Sequence, residues 1–167
     1  MTEFHFEHDF TRAGSPAILF EAYFDPAVSA EQDRRVEVAQ REVLAHEEAD
    51  GVLRRVCKVV PRRQLPAVVR PFVPDGLSYT ETVTWRKAED LIEMQIEPVV
   101  LGGRVEISAT YRVTAAGPGV CRRAYDGHVS VQIPLLGRRI ERAIVEDLGR
   151  TLEKAAACTQ EWLDARP

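Results

Sequence analysis

The stretch PLLGRRIERAIVEDLGRTLEKAAACTQEWL, Pro134 to Leu163, decides the fold. Apolar or small residues recur at Leu136, Ile140, Ile144, Leu148, Leu152, Ala155, Thr159, Trp162 and Leu163. Steps of mostly three and four residues put them on one face of an α-helix. Arg138, Arg139, Arg142, Glu146, Arg150, Glu153, Lys154 and Glu161 occupy the other face. A helix of about thirty residues at 1.5 Å each spans roughly 45 Å. Its long apolar stripe needs a broad surface to lie against.

The preceding chain supplies that surface. Phe4, Phe6, His8 and Phe10 alternate with His5, Glu7, Asp9 and Thr11, the pattern of a strand with one buried face. Ser15-Pro16 and Asp25-Pro26 then start two short helices, to Tyr23 and to about Arg34, with Pro at the first helical position. From Val36 the chain reads as extended for about a hundred residues. The strands expected are Val36–Glu47, with alternation blurred around Ala39–Arg41, then Val52–Val60 and Leu77–Arg86. Three more follow, around Ile92–Ile96, Val105–Val113 and Val120–Ile133. One apolar face per strand implies antiparallel pairing with water on the other side.

Composition excludes several classes. The 167 residues fit one domain, 1–167, and 45% hydrophobic with 29% charged residues is ordinary for a soluble protein. A net charge of −4 gives no global attraction for nucleic acid. Cys57, Cys121 and Cys158 are odd in number and widely spaced, so reduced apolar residues are expected rather than disulfides or a metal site. No apolar run approaches the ~18 residues of a membrane span. The start, MTEFHFEHDF, has neither the basic nor the apolar region of a signal peptide. The expected location is therefore the cytoplasm.

In an up-and-down meander, alternate connections lie at the same end of the sheet. One set, Ala49–Gly51, Ala88–Asp90 and Ala115–Gly119, is short and polar. The other set is apolar: PRRQLPAVVRPFVPDG (Pro61–Gly76), PVVLGG (Pro98–Gly103) and PLLG (Pro134–Gly137). The first of these sits in a basic run, Arg54, Arg55, Lys58, Arg62, Arg63 and Arg70, with no acid between Arg54 and Val73. Arg138, Arg139 and Arg142 start the long helix nearby. This end suits transient contact with an anionic membrane or an acidic partner. The alternative is that the loops simply close the end of the core.

The whole order resembles the helix-grip fold of the START-like (SRPBCC) superfamily, in an uncharacterised bacterial branch. The entry SPAILFEAYFDP, the strand spacing and the ending VSVQIPLLGRRIERAIVEDLGRTLEKAAACTQEWL carry the resemblance. It implies an α+β fold in which a curved antiparallel sheet of about seven strands wraps around the C-terminal helix. It also implies a cavity between the two, in which members bind lipids, sterols, hormones or polyketides. Some members are cyclases, aromatases or hydrolases.

With that architecture, the inward residues expected at a ligand are Tyr79, Glu81, Val83, Trp85, Met94, Ile96, Ile107, Tyr111, Arg123, Tyr125 and Val129. Ile140 and Ile144 close the cavity from the helix, and Phe72, Val100, Leu101 and Leu136 stand at its mouth. Glu81, Arg123 and His8 are polar residues in apolar registers, and a buried charge needs a partner or neutralisation. An Arg123–Glu81 pair is one expectation, as a head-group anchor or as a structural ion pair. No GxSxG elbow and no HExxH occur, and no metal or cofactor is expected. The leading expectation is a protein that binds or carries a hydrophobic, lipid-like small molecule. The alternative is a small cyclase, dehydratase or hydrolase with Glu81 or His8 as acid–base group.

Overall fold

Strict in–out alternation gives strand β1, Thr2–Thr11, whose inner residues Phe4, Phe6, His8 and Phe10 face the sheet's concave side. The computed structural model of the chain describes residues 1–62, 65–99 and 101–167. Two helices follow, α1 (Pro16–Phe24) and α2 (Pro26–Arg35), each with proline in its first turn. Asp25 caps α2, its Oδ1 accepting from the N–H groups of Ala27 and Val28 at 2.8 and 3.1 Å. Ser15 holds the N-cap position of α1 without a side-chain capping bond.

Six strands then run in a meander: β2 (Val38–Ala49), β3 (Val52–Pro61), β4 (Tyr79–Arg86), β5 (Leu91–Pro98), β6 (Val105–Gly117) and β7 (Val120–Val131). All pairings are antiparallel, in the order β1-β7-β6-β5-β4-β3-β2. Helix α3, Gly137–Asp164, closes the concave side. This is the helix-grip arrangement expected from the sequence. Among the described residues, no helix is long and apolar enough to cross a membrane.

Two local features shape the grip. The blurred alternation in β2 is a pair of register shifts against β3, between Val38 and Gln40 and between Val43 and Ala45. Each inserts an odd residue and reverses which side chains face inward. Gly127, in the middle of β7, allows β1, β6 and β7 to curve tightly. A Cβ there would sit 2.1 Å from the Ser108 carbonyl oxygen and 2.7 Å from the Phe4 ring.

The core divides along α3. At its C-terminal end, Phe10, Leu19, Phe20, Val83, Ile92, Tyr111, Cys121 and Leu163 are fully buried, with Trp85 stacked on Phe20 and Phe24. At its N-terminal end, Val69 and Val73 from the β3–β4 connection pack with Val105, Val129, Val131 and Ile140. Between the two clusters, Ile144, Leu148, Thr151, Leu152 and Ala155 of α3 are only half-buried. They face the space described next. The tail of α3 packs on α2 as its small residues imply, Gln32 Nε2 donating to Thr159 Oγ1 at 3.4 Å.

Candidate functional site

A cavity of about 270 Å³, partly open to solvent, lies between the concave sheet and the middle of α3. Met94, Ile96, Ile107, Leu101, Phe72, Leu77, Val105 and Ile133 line it from the sheet and loops, and Ile140, Ile144, Leu148 and Leu152 from the helix. The wall is mostly apolar with a few grouped polar side chains, the composition of a small-molecule pocket. The volume falls just below the roughly 300–1,000 Å³ of drug-sized pockets.

Of the residues expected from sequence at a ligand, Tyr79, Glu81, Met94, Ile96, Ile107, Tyr125, Ile140 and Ile144 are on this wall, as are Phe72 and Leu101, which were expected at a mouth. Val83, Trp85, Tyr111, Arg123 and Val129 are not. They face inward as their alternation requires, but other side chains have taken the space in front of them. Phe20 and Phe24 cover Trp85, and Phe20 and Tyr23 meet Tyr111 edge-on. Val83 belongs to the C-terminal cluster and Val129 to the N-terminal one. Leu136 is also off the wall. Leu135 takes a positive φ of 66° to turn the chain into α3, and Leu135 and Leu136 both swing out to solvent. Val100 lies outside the described residues.

The expected Arg123–Glu81 pair does not form. Glu81 is on β4 and Arg123 on β7, with β5 and β6 between them. Arg123, only 4% exposed, lies against the rings of Phe10 and Tyr125 and donates to the Leu152 carbonyl at 3.2 Å and to His8 Nδ1 at 3.3 Å. Burial, and then the Arg123 charge, lower the His8 pKa from its ordinary 6.5. His8 is therefore a neutral acceptor in the β1–α3 interface and is not on the cavity wall.

Glu81 meets Arg41 instead. Arg41 Nη1 donates to Glu81 Oε1 at 2.8 Å, while its Nε and Nη2 grip Asp33 of α2 at 2.8 and 3.1 Å. Burial opposes the Arg41 charge, but Glu81 and Asp33 outweigh it and raise its pKa. This clasp stands on the cavity wall and joins α2, β2 and β4.

Beside it stand Arg55, Tyr23 and Tyr125. Burial pushes both phenols above their ordinary value, Tyr125 and Glu81 adding to the effect at Tyr23. These tyrosines stay protonated and offer hydroxyl groups rather than bases. Arg41, Asp33, Arg55 and Tyr23 are the site residues that sequence reading missed. Arg55 was detectable, since Leu53, Arg55, Cys57 and Val59 alternate along one face of β3. Arg41 was hidden by the register shifts.

The sequence model of the DUF2505 family, a protein of unknown function, matches residues 7–163. The chain belongs to the DUF2505 family. No curated protein sequence matches it. Three solved structures show the same fold along nearly the whole DUF2505 chain. A START superfamily protein from Mycobacterium smegmatis is 15% identical, with TM-score 0.58 and 97% of each chain covered. The Zhui aromatase/cyclase from a Streptomyces species is 14% identical, with TM-score 0.63, covering 99% of this chain and 96% of its own. Norcoclaurine synthase from Thalictrum flavum, in complex with dopamine and hydroxybenzaldehyde, is 14% identical, with TM-score 0.64, covering 99% and 90%. At these identities the likeness is one of fold. DUF2505 thus shares the START-like helix-grip architecture.

Proposed function

We propose that this DUF2505 protein binds and carries a compact hydrophobic molecule in the cavity under α3. One observation carries the reading. The middle of α3 and the facing strands present apolar side chains to a space of about 270 Å³ instead of packing against each other. Apolar surface facing an unfilled volume forgoes packing contacts that a ligand restores. Ligand binding in solved relatives of this fold, such as the synthase complexed with dopamine and hydroxybenzaldehyde, supports the same reading.

Exchange takes place at the end formed by Phe72, Leu101 and Ile133. Val99, Leu135 and Leu136 are exposed there, and Arg138 and Arg139 start α3 beside them. These residues equip the end for brief contact with an anionic bilayer. Co-sedimentation with phosphatidylserine vesicles tests that part. Binding that survives Leu135→Asp unchanged contradicts it.

The carrier reading is tested by organic extraction and native mass spectrometry of protein purified from its own host. A bound apolar molecule, lost on Ile144→Phe, is expected. A protein of bare polypeptide mass that takes up no apolar compound contradicts it.

A further inference from the structure

Among the described residues, the charged groups around the clasp have partners, with Arg55 the exception. Both carboxylates there, Asp33 and Glu81, are engaged by Arg41. Arg55 points inward from β3 onto the cavity wall, with one face of its guanidinium 5.1 Å from the Phe24 ring centroid. Its Nε is buried with no hydrogen-bond partner, and no carboxylate reaches it among the described residues. A guanidinium carries a fixed fork of N–H donors and stays charged, so it cannot escape burial by losing a proton. An orphaned donor of this kind is uncommon in a native fold and calls for an acceptor.

We infer that Arg55 is the anchor for a ligand carboxylate, so that the cavity takes a compact anionic amphiphile with its head inward. The inference rests on the carrier reading and specifies its ligand. Register fixes the orientation. Arg55 is level with Val83, while Glu81 and then Tyr79 lie successively nearer the mouth. From Arg55 to Pro61, at the mouth end of β3, is about 20 Å at roughly 3.3 Å per residue. A carboxylate at Arg55 therefore leaves its apolar tail along Ile96, Ile107 and Ile144 toward Leu101. The Tyr23 and Tyr125 hydroxyl groups, held protonated, are further donors near the head.

Isothermal titration with decanoate, 1-decanol and decylamine, each below its aggregation limit, tests the assignment. The wild-type protein is expected to bind decanoate about tenfold or more tighter than decanol, with decylamine weakest. Arg55→Met keeps the aliphatic cover and is expected to bring decanoate down to the decanol affinity while decanol binding stays. If Arg55→Met does not fold, Arg55→Gln gives the same readout. Decanol binding as tightly as decanoate, or a preference that survives loss of the arginine, overturns the inference and leaves the carrier reading standing. Failure of all three compounds to bind overturns both.

Discussion

Arg41 on β2 and Glu81 on β4 meet across the intervening strand β3, Nη1 to Oε1 at 2.8 Å, while the same guanidinium grips Asp33 of α2. One side chain thus fixes a helix and two non-adjacent strands beside the cavity. Arg41 is 25% exposed and Glu81 14%, so solvent screens the clasp only in part. Arg41→Met leaves two carboxylates unpaired, and an expected loss of about 1–3 kcal/mol should appear in urea unfolding. Adding Glu81→Gln to that variant is expected to cost less than the two single changes summed, because both remove one network. Additive losses would show that the three groups do not act together.

Glu141 makes a second buried anchor, 2% exposed in the first turns of α3. Its Oε1 accepts from the Val131 N–H at 2.9 Å and its Oε2 from the Thr2 hydroxyl at 2.7 Å. Burial presses the carboxyl upward, yet Thr2, Val131 and the Met1 amino group outweigh it and hold the pKa below its ordinary 4.5. A carboxyl depressed in the fold stabilises above its unfolded value, and that gain is lost as pH falls through the folded value. Stability is expected to drop below about pH 4.5, and Glu141→Gln is expected to blunt that drop. At neutral pH, Glu141→Ala should cost about 2–3 kcal/mol by stranding the Val131 N–H. Equal acid sensitivity in the wild type and Glu141→Gln would contradict this account.

His5 and His8, three residues apart on β1, are expected to titrate on opposite sides of 6.5. His5 is exposed, and the hydrogen bonds it donates to Asp126 and then to Glu7 raise its pKa. His8 is lowered by burial and by Arg123. The signs differ accordingly. His5 contributes below pH 6.5 and loses that contribution as pH rises through its folded value. His8, neutral in the fold, destabilises as pH falls below 6.5. Proton NMR of the imidazole signals checks the order, and Arg123→Met should move His8 upward. A His8 signal titrating above that of His5 would contradict the placement of Arg123.

These anchors show how far the sequence could be read. Among the described residues, period-two patterns located the seven strands and a period of 3.6 the long helix, because each buries one face, while Ser15-Pro16 and Asp25-Pro26 located the two short helices. They identified inward residues but not what stands in front of them. Tyr111 and Ile107 share a face of β6, yet α1 fills the space before Tyr111 and leaves Ile107 on the cavity wall. Alternation also carries no distance around a curved sheet, so Glu81 and Arg123 looked like partners across two intervening strands. Arg41 lay beyond reach for another reason. Its inward orientation comes from register shifts, which depend on pairing with β3 rather than on local composition.

Gly127 tests the curvature on which the cavity depends. Gly127→Ala drives a methyl into the Ser108 carbonyl, a backbone group that cannot move aside without flattening the sheet. A loss of about 2–3 kcal/mol is expected in thermal or denaturant unfolding. By contrast, Gly149→Ala in α3 gains about 1 kcal/mol of helix propensity against a 3.0 Å approach to the Phe6 ring, and should be much better tolerated. Equal effects at the two glycines would contradict the role given to Gly127.

The central claim, that the space under α3 holds a ligand, is tested most directly by isoleucine δ1-methyl NMR during titration with decanoate. Ile96, Ile107, Ile133, Ile140 and Ile144 are on the cavity wall, while Ile18 and Ile92 pack in the C-terminal cluster. The account predicts saturable shifts and ligand contacts at the wall methyls, with Ile18 and Ile92 little changed. Spectra that do not change at saturating ligand, or shifts confined to Ile18 and Ile92, would contradict it.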